Sequence, residues 1–271
     1  AKHLRRSFAL PRATLFGPRP RFHAVRDVSL EIACGERVGL VGESGCGKST
    51  LTRALLGLEQ LQGGSITLAG QPVPGEGRTG QKVRRHMQVV FQDPYGSFNP
   101  RHTVGRLIAE PFHLLDDPPR GAAREEAVAE ALRAVGLSPE HANSHIHAFS
   151  GGQRQRIAIA RALIIRPDLV IFDEAVSALD VQVRAQILDL IADLSRQHDL
   201  AYLFISHDLH VVREITDRVL IMKAGEIVET GLTSSVFDNP QTWYTKSLIA
   251  AAPVLPPQMG GEKTDAGQPV P

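Results

Sequence analysis

The sequence predicts an α/β fold in which a mainly parallel sheet is covered on both faces by helices. An N-terminal antiparallel β portion, an inserted helical subdomain and a small C-terminal appendage complete the expected architecture. Three observations lead there. Short apolar runs alternate with helical stretches between residues 169 and 222, as in parallel sheets whose strands are buried on both faces. A glycine-rich loop at residues 42–50 joins an apolar strand to a helix. From residue 93 to residue 119 the pattern breaks at Pro94, Pro100, Pro111 and the Pro118-Pro119 pair, and helical stretches follow.

In chain order, residues 24–41 alternate apolar and polar positions, which reads as strands separated by the Cys34-Gly35-Glu36 turn. Residues 38–41 form a short apolar strand feeding the glycine-rich loop, and residues 48–57 read as a helix. Residues 63–69 and 87–91 are further strand candidates, and the Gly- and Pro-rich residues 71–81 read as surface loop. Helices are expected over residues 122–135 and 153–165, so a largely helical lobe spans about residues 94–166. The core resumes with strand 169–172, helix 181–196, strand 201–205, helix 209–215 and strand 218–222. One more strand candidate, residues 225–229, precedes the expected end of the main domain at residue 231. Residues 232–259 form the appendage, where Trp243 and Tyr244 suit simple packing as well as contact with a partner. Residues 260–271 lack a core pattern and are expected to be disordered.

A chain of 271 residues can bury a substantial core. Its formal net charge of +1 gives no electrostatic reason to expect nucleic acid as a partner. The two cysteines, Cys34 and Cys46, make no disulfide framework and suit a reduced cytosolic setting. No run approaches the roughly 18 apolar residues that cross a bilayer. Residues 1–11 are basic without an apolar segment, unlike a secretory signal. If a membrane is involved, another protein must supply the spanning helices.

Gly42-Glu43-Ser44-Gly45-Cys46-Gly47-Lys48-Ser49-Thr50 satisfies the G-x-x-x-x-G-K-[ST] pattern in full and marks a P-loop NTPase core. Glycines let backbone N–H groups turn inward around phosphate oxygens, and the helix start adds partial positive charge. Lys48 would neutralise the β and γ phosphates, and the Ser49 hydroxyl would ligate Mg²⁺. A plain glycine turn before a helix is the bland alternative, and the full pattern in strand–turn–helix context argues against it. Ser150-Gly151-Gly152-Gln153 reads as a second phosphate-gripping helix start, which points to ATP sandwiched between two elements. Asp173 and Glu174 close an apolar strand, where ligands of such sheets collect. Asp173 can hold Mg²⁺ through a water, and Glu174 can act as general base. Two acids at a helix start can also be simple dipole partners. His207 follows another core strand and could orient the attacking water; Gln92 follows residues 87–91 and could ligate Mg²⁺. Each of these two is weak alone.

The phosphate loop, Gln92, Ser150–Gln153, Asp173-Glu174, Ser177-Ala178-Leu179-Asp180 and His207 occur in the order found in ABC transporter nucleotide-binding subunits. The resemblance covers residues 24–231, and together the motifs are highly specific. It implies two subunits facing head to tail, with each ATP held between one subunit's loop and the other's Ser150, Gly151 and Gly152. It also implies that Asp180 lies in a loop crossing the dimer interface, and that an N-terminal aromatic stacks on adenine. Phe8 is the first choice for that role, Phe22 the second, and an ordinary core position is the alternative for Phe8. The chain departs from the family at Phe149, where leucine is commonest, and at Ala175-Val176, where proline and a small polar residue are frequent. Neither touches the catalytic pair.

Phe91-Gln92-Asp93-Pro94-Tyr95-Gly96-Ser97-Phe98-Asn99-Pro100-Arg101 and Asn239-Pro240-Gln241-Thr242-Trp243-Tyr244-Thr245-Lys246-Ser247-Leu248, followed by Ala251, Ala252 and Pro253, resemble the oligopeptide, dipeptide and nickel importers of this family. That resemblance implies a peripheral subunit on the cytoplasmic face of the plasma (inner) membrane, two transmembrane permease subunits and an extracytoplasmic solute-binding protein. It further implies a second ABC ATPase subunit, often a different chain carrying a C-terminal iron–sulfur cysteine cluster. With no cysteine after Cys46, this chain resembles the partner without the cluster. The segment at residues 91–101 would contact a coupling helix of the permease. Peptides, nickel and metal chelates all remain open as cargo, with peptides preferred. A soluble ABC-type ATPase of translation or DNA repair and an exporter subunit are the competing readings. A guanine-nucleotide switch lacks its Asn-Lys-x-Asp run.

Overall fold

The computed structural model describes residues 1–12, 19–73 and 83–251. Its centre is a six-stranded sheet in the order β11-β10-β3-β9-β8-β7. The strands are β3 (Arg37–Val41), β7 (Met87–Phe91), β8 (Leu169–Asp173), β9 (Ala201–Ser206), β10 (Arg218–Lys223) and β11 (Glu226–Leu232). Five run parallel, and β11 pairs antiparallel with β10. A second sheet, β2-β1-β4, is antiparallel and comprises β1 (Lys2–Ala9), β2 (Arg21–Val28) and β4 (Gly63–Ser65).

Parallel strands covered on both faces read as continuous apolar runs, because every residue meets one core or the other. All six residues of β9 are buried. Tyr202 and Phe204 enter one cluster with Phe172 of β8, whereas Leu203 and Ile205 enter a second. Strand β10 divides likewise, Val219 and Ile221 from Leu220 and Met222. The aromatic centre is edge-to-face, with the Phe172 and Tyr202 rings 5.8 Å apart at 85°. Burying each such ring contributes about 1.5–3 kcal/mol.

The second cluster lies under the antiparallel sheet and α1 (Lys48–Leu55), through Leu4, Val25, Val28, Leu51 and Leu55. The first runs into the helical segment: α2 (Val104–Ile108), α3 (Gly121–Ala134) and α4 (Gly151–Leu163), with short 3₁₀ turns between them. The helices α5 (Val181–His198) and α6 (Leu209–Ile215) connect the later strands. Beyond β11, α7 (Thr233–Asp238) and α8 (Trp243–Ala251) contribute Val236, Phe237 and Tyr244 to the main core.

Two local expectations change. Residues 63–69 do not form one strand: β4 pairs with β1, while β5 (Thr67–Leu68) turns back on β6 (Gln71–Pro72). Ala69 and Gly70 take positive φ values of 48° and 75°, which closes a two-residue hairpin. The expected surface loop therefore starts as a strand at residues 71–72, and its residues 74–81 lie outside the described residues, as do Ala252, Pro253 and residues 260–271. Strand β1 has no counterpart among the expected elements; shifts of register beside Leu4 and Ser7 put its buried side chains three positions apart, which hides the two-residue period.

Candidate functional site

The parallel register aligns the carboxyl ends of the central strands. Val41 is level with Ser206, and Asp173 with Phe91 and Ile205. The residues that follow these ends are Gly42, His207, Glu174 and Gln92, so one edge of the sheet collects them all.

Between β3 and α1 the loop turns tightly. Gly47 has φ +116°, and a Cβ there would lie 2.1 Å from the Ala24 carbonyl oxygen, so only glycine lets the loop rest on β2. Lys48 is buried, and its Nζ donates to the carbonyls of Gly42 at 2.7 Å and Glu43 at 3.0 Å. No carboxylate pairs with this ammonium among the described residues. The N–H groups of Ser49 and Thr50 open α1 without a protein acceptor among the described residues, while that of Lys48 faces the Cys46 sulfur. A backbone cradle with free donors, a helix start and an unneutralised ammonium fits a polyphosphate. Ser44, Gly45 and Ser49 are exposed on it. Cys46 is buried, and burial pushes its thiol pKa up against the opposing Lys48 charge, so the thiol is a packing group.

Asp173 ends β8, half-buried, where burial and then the neighbouring Glu174 push its pKa up while Lys48 and Arg53 oppose. Glu174 has φ +51°, left-handed backbone that a glutamate rarely adopts. Its N–H donates to Ile205 at 2.9 Å, and its carbonyl accepts from the Ser177 N–H at 3.1 Å and hydroxyl at 2.9 Å. This turn sends the carboxylate towards His207, with Oε2 3.4 Å from Nδ1. Gln92 is exposed beside the end of β8. Ser49, Gln92 and Asp173 offer a hydroxyl, an amide and a carboxylate, the hard oxygen donors a phosphate-bound Mg²⁺ uses in place of an all-protein cage.

Ser150 and Gln153 form a reciprocal capping box on α4, with bonds of 3.3 and 3.0 Å. A Cβ on Gly152 would lie 2.4 Å from Val183 Cγ1, so this glycine lets α4 approach α5. Gly151 has open space on its far side, and both Ser150 and Gly151 are exposed. No hydrogen bond or ion pair joins Ser150–Gln153 to the phosphate loop among the described residues. Asp180 caps α5 through Val183 N–H at 2.9 Å. Phe8 and Phe22 face each other across β1 and β2, Phe22 exposed and Phe8 half-covered by the Arg6 guanidinium, 4.6 Å from its ring.

Two arginines escape the motif reading. Arg184 bonds the Leu179 carbonyl at 3.3 Å and Asp208 at 3.1 Å, tying the Asp180 loop to the His207 turn. Arg161 of α4 bonds both the carbonyl and hydroxyl of Ser97, at 3.1 and 3.0 Å, and covers the Phe98 ring. Charged residues within helices read as solvated faces in sequence; only long-range contacts reveal these two.

The family model for "ABC transporter" matches residues 25–177. The glutathione import ATP-binding protein GsiA of Pectobacterium atrosepticum is 52% identical over 236 residues, and that of Escherichia coli (strain K12) 53% over 241 residues. Each match covers 87% of this chain and 38% of the relative, so the chain spans under two fifths of their length. Among solved structures, the ATP-binding cassette MJ0796, dimeric in a post-hydrolysis state with ADP and Pi, superposes with a TM-score of 0.74 at 26% identity. That match covers 86% of this chain and 97% of the cassette. The cbiO1 chain of Clostridium perfringens, part of the ABC transporter complex cbiONQ, gives 0.71 at 27% identity, covering 80% and 85%. The family model and these relatives together show that the chain belongs to the ABC transporter family, with the fold of an ATP-binding cassette.

Proposed function

We propose that this cassette hydrolyses ATP in a head-to-tail pair with a second cassette, driving import of a peptide-class solute through separate permease subunits served by a solute-binding protein. The observation that carries the reading is the sheet edge that holds Lys48, Asp173, Glu174 and His207 while Ser150 and Gly151 face outward from α4. Likeness to two glutathione import proteins supports a peptide over nickel or a chelate. The second cassette is proposed as a different chain of the same family, with or without an iron–sulfur cluster. No membrane-crossing helix occurs among the described residues, which fits a peripheral place on the cytoplasmic face.

In this scheme Lys48 and the N–H groups opening α1 hold the β and γ phosphates. Ser49, Gln92 and Asp173 would hold Mg²⁺, which when bound would supply positive charge against the phosphates. Glu174 accepts the proton of the attacking water as the water oxygen bonds the γ phosphorus; the bond to the bridging oxygen breaks and that oxygen leaves with ADP. His207, held 3.4 Å from Glu174, orients the water and the γ phosphate. Ser150, Gly151 and Gly152 of each cassette complete the other's site, with Asp180 at the interface. Phe8 is proposed to stack on adenine. Reconstituted with permease and binding protein, Glu174→Gln is expected to bind ATP normally while turnover falls about 100-fold or more. Wild-type turnover in that assembly refutes the assigned base, and glutathione-class peptides that fail to stimulate wild-type hydrolysis refute the proposed solute.

A further inference from the structure

The C-terminal helix α8 enters the nucleotide site. Its start is fastened to β11, where the Glu229 carboxylate accepts from the N–H groups of Gln241 at 2.8 Å and Thr242 at 3.0 Å and from the Thr242 hydroxyl at 2.9 Å. Two residues on, Tyr244 is 6% exposed, with its ring packed in the main core. Phenylalanine would fill that space equally, so the hydroxyl needs its own explanation. Its oxygen accepts the Glu43 N–H at 3.3 Å. That N–H shares its peptide plane with the Gly42 carbonyl, which accepts from Lys48 Nζ at 2.7 Å, and the next carbonyl, of Glu43, accepts from it at 3.0 Å. Tyr244, Glu43 and Lys48 thus form a single relay, from the C-terminal helix to the ammonium of the phosphate loop.

The surroundings hold that relay in place. Lys223, at the end of β10, sets its ammonium 4.6 Å from the Tyr244 ring and 5.6 Å from the exposed Trp243 ring. The turn after β10 bonds the loop itself, Gly225 N–H donating to the Cys46 carbonyl at 2.8 Å. Burial pushes the Tyr244 pKa up. The phenol therefore stays neutral beside a loop built for anions.

We propose that Tyr244 is a positioning residue for the nucleotide site: its hydroxyl fixes the Gly42–Glu43 peptide, and through the Gly42 carbonyl Lys48, so that residues 232–251 tune ATP affinity. The inference rests on residues 42–50 being the phosphate loop. At 3.3 Å the bond is long, so the effect is modest. Binding of a fluorescent ATP analogue to the full 271-residue chain tests it. Tyr244→Phe is expected to weaken binding about three- to ten-fold, with the melting temperature without nucleotide unchanged. Amide exchange in the peptide carrying Glu43 should quicken, a change that lost packing elsewhere does not produce. Tyr244→Ala, if folded, should weaken binding at least as much. Unchanged affinity in Tyr244→Phe, with Lys48→Ala losing binding, overturns the role of Tyr244 alone. Unchanged affinity in Lys48→Ala overturns the phosphate-loop reading beneath it.

Discussion

Glu174 holds left-handed backbone, φ +51°, that costs a non-glycine residue about 1–2 kcal/mol. Three hydrogen bonds, from its own N–H to Ile205 and from Ser177 to its carbonyl, keep it there. Such a strained acid at a strand end is expected where its direction matters more than local stability. Its neighbour Asp173 is costly in a different way. Burial and the Glu174 charge raise its pKa. A carboxyl whose pKa is higher folded than unfolded binds more protons when folded, so the stability it contributes falls as pH rises through that window. From the ordinary aspartate range up to neutrality, the ionised Asp173 is therefore a net cost, offset when a cation binds. Asp173→Asn should raise the melting temperature in the absence of nucleotide at pH 7 and shrink the further rise that Mg²⁺-ATP gives the wild type. A lowered melting temperature without nucleotide would show that the carboxylate stabilises the fold and that its burial has been misjudged.

Helix α4 joins two functional segments. Its N-terminus carries Ser150, and near its other end Arg161 grips Ser97 and Phe98, in the segment that follows Gln92. Burial lowers the Arg161 pKa, opposed by Glu110, whose carboxylate lies 3.7 Å away beside the two hydrogen bonds and the ring face. Arg161→Ala leaves the Ser97 carbonyl unpaired and should destabilise by about 2 kcal/mol, read as a melting temperature several degrees lower. Arg161→Lys should recover only part, since one ammonium does not reproduce a planar fork that bonds Ser97 and stacks on Phe98. Full recovery by lysine would mean that charge alone matters at this position. The helices and parallel strands around this joint were legible because each carries a continuous apolar run or a steady stripe. Residues 87–91 and 209–215 match β7 and α6 end to end. Strand β1 was not legible: His3 at positive φ and shifts of register spoil its alternation, and the pairing that stabilises it lies at residues 21–28. That the glycine loop and the two acids follow strand ends was legible, because short apolar runs precede both; the left-handed backbone of Glu174 was not. Nor were the Arg184, Arg161 and Tyr244 contacts, since each joins segments that only the fold brings together.

At the scale of the molecule, the two elements proposed to grip phosphate differ in how they are completed. The loop at residues 42–50 is backed by β2, by the turn after β10 and by Tyr244. The start of α4 is capped by Ser150 and Gln153, yet Gly151 presents an open face. Gly152 is already committed, because Val183 fills the space its missing side chain leaves. That division separates folding from assembly. A side chain at Gly152 damages the cassette itself, whereas one at Gly151 meets only Leu179, at 3.8 Å, and should leave the isolated chain intact. If a partner's nucleotide docks there, a bulky residue blocks closure without unfolding anything. In a Glu174→Gln background, which should trap the ATP-bound pair, size-exclusion light scattering of the chain mixed with its partner cassette should show dimers with ATP. Adding Gly151→Phe should return the chain to monomers, with ATP affinity per chain reduced only by the loss of sandwiching and the melting temperature without nucleotide preserved. Dimers that persist in the double variant would place the interface elsewhere, and the exposed start of α4 would then be a surface without a part in hydrolysis.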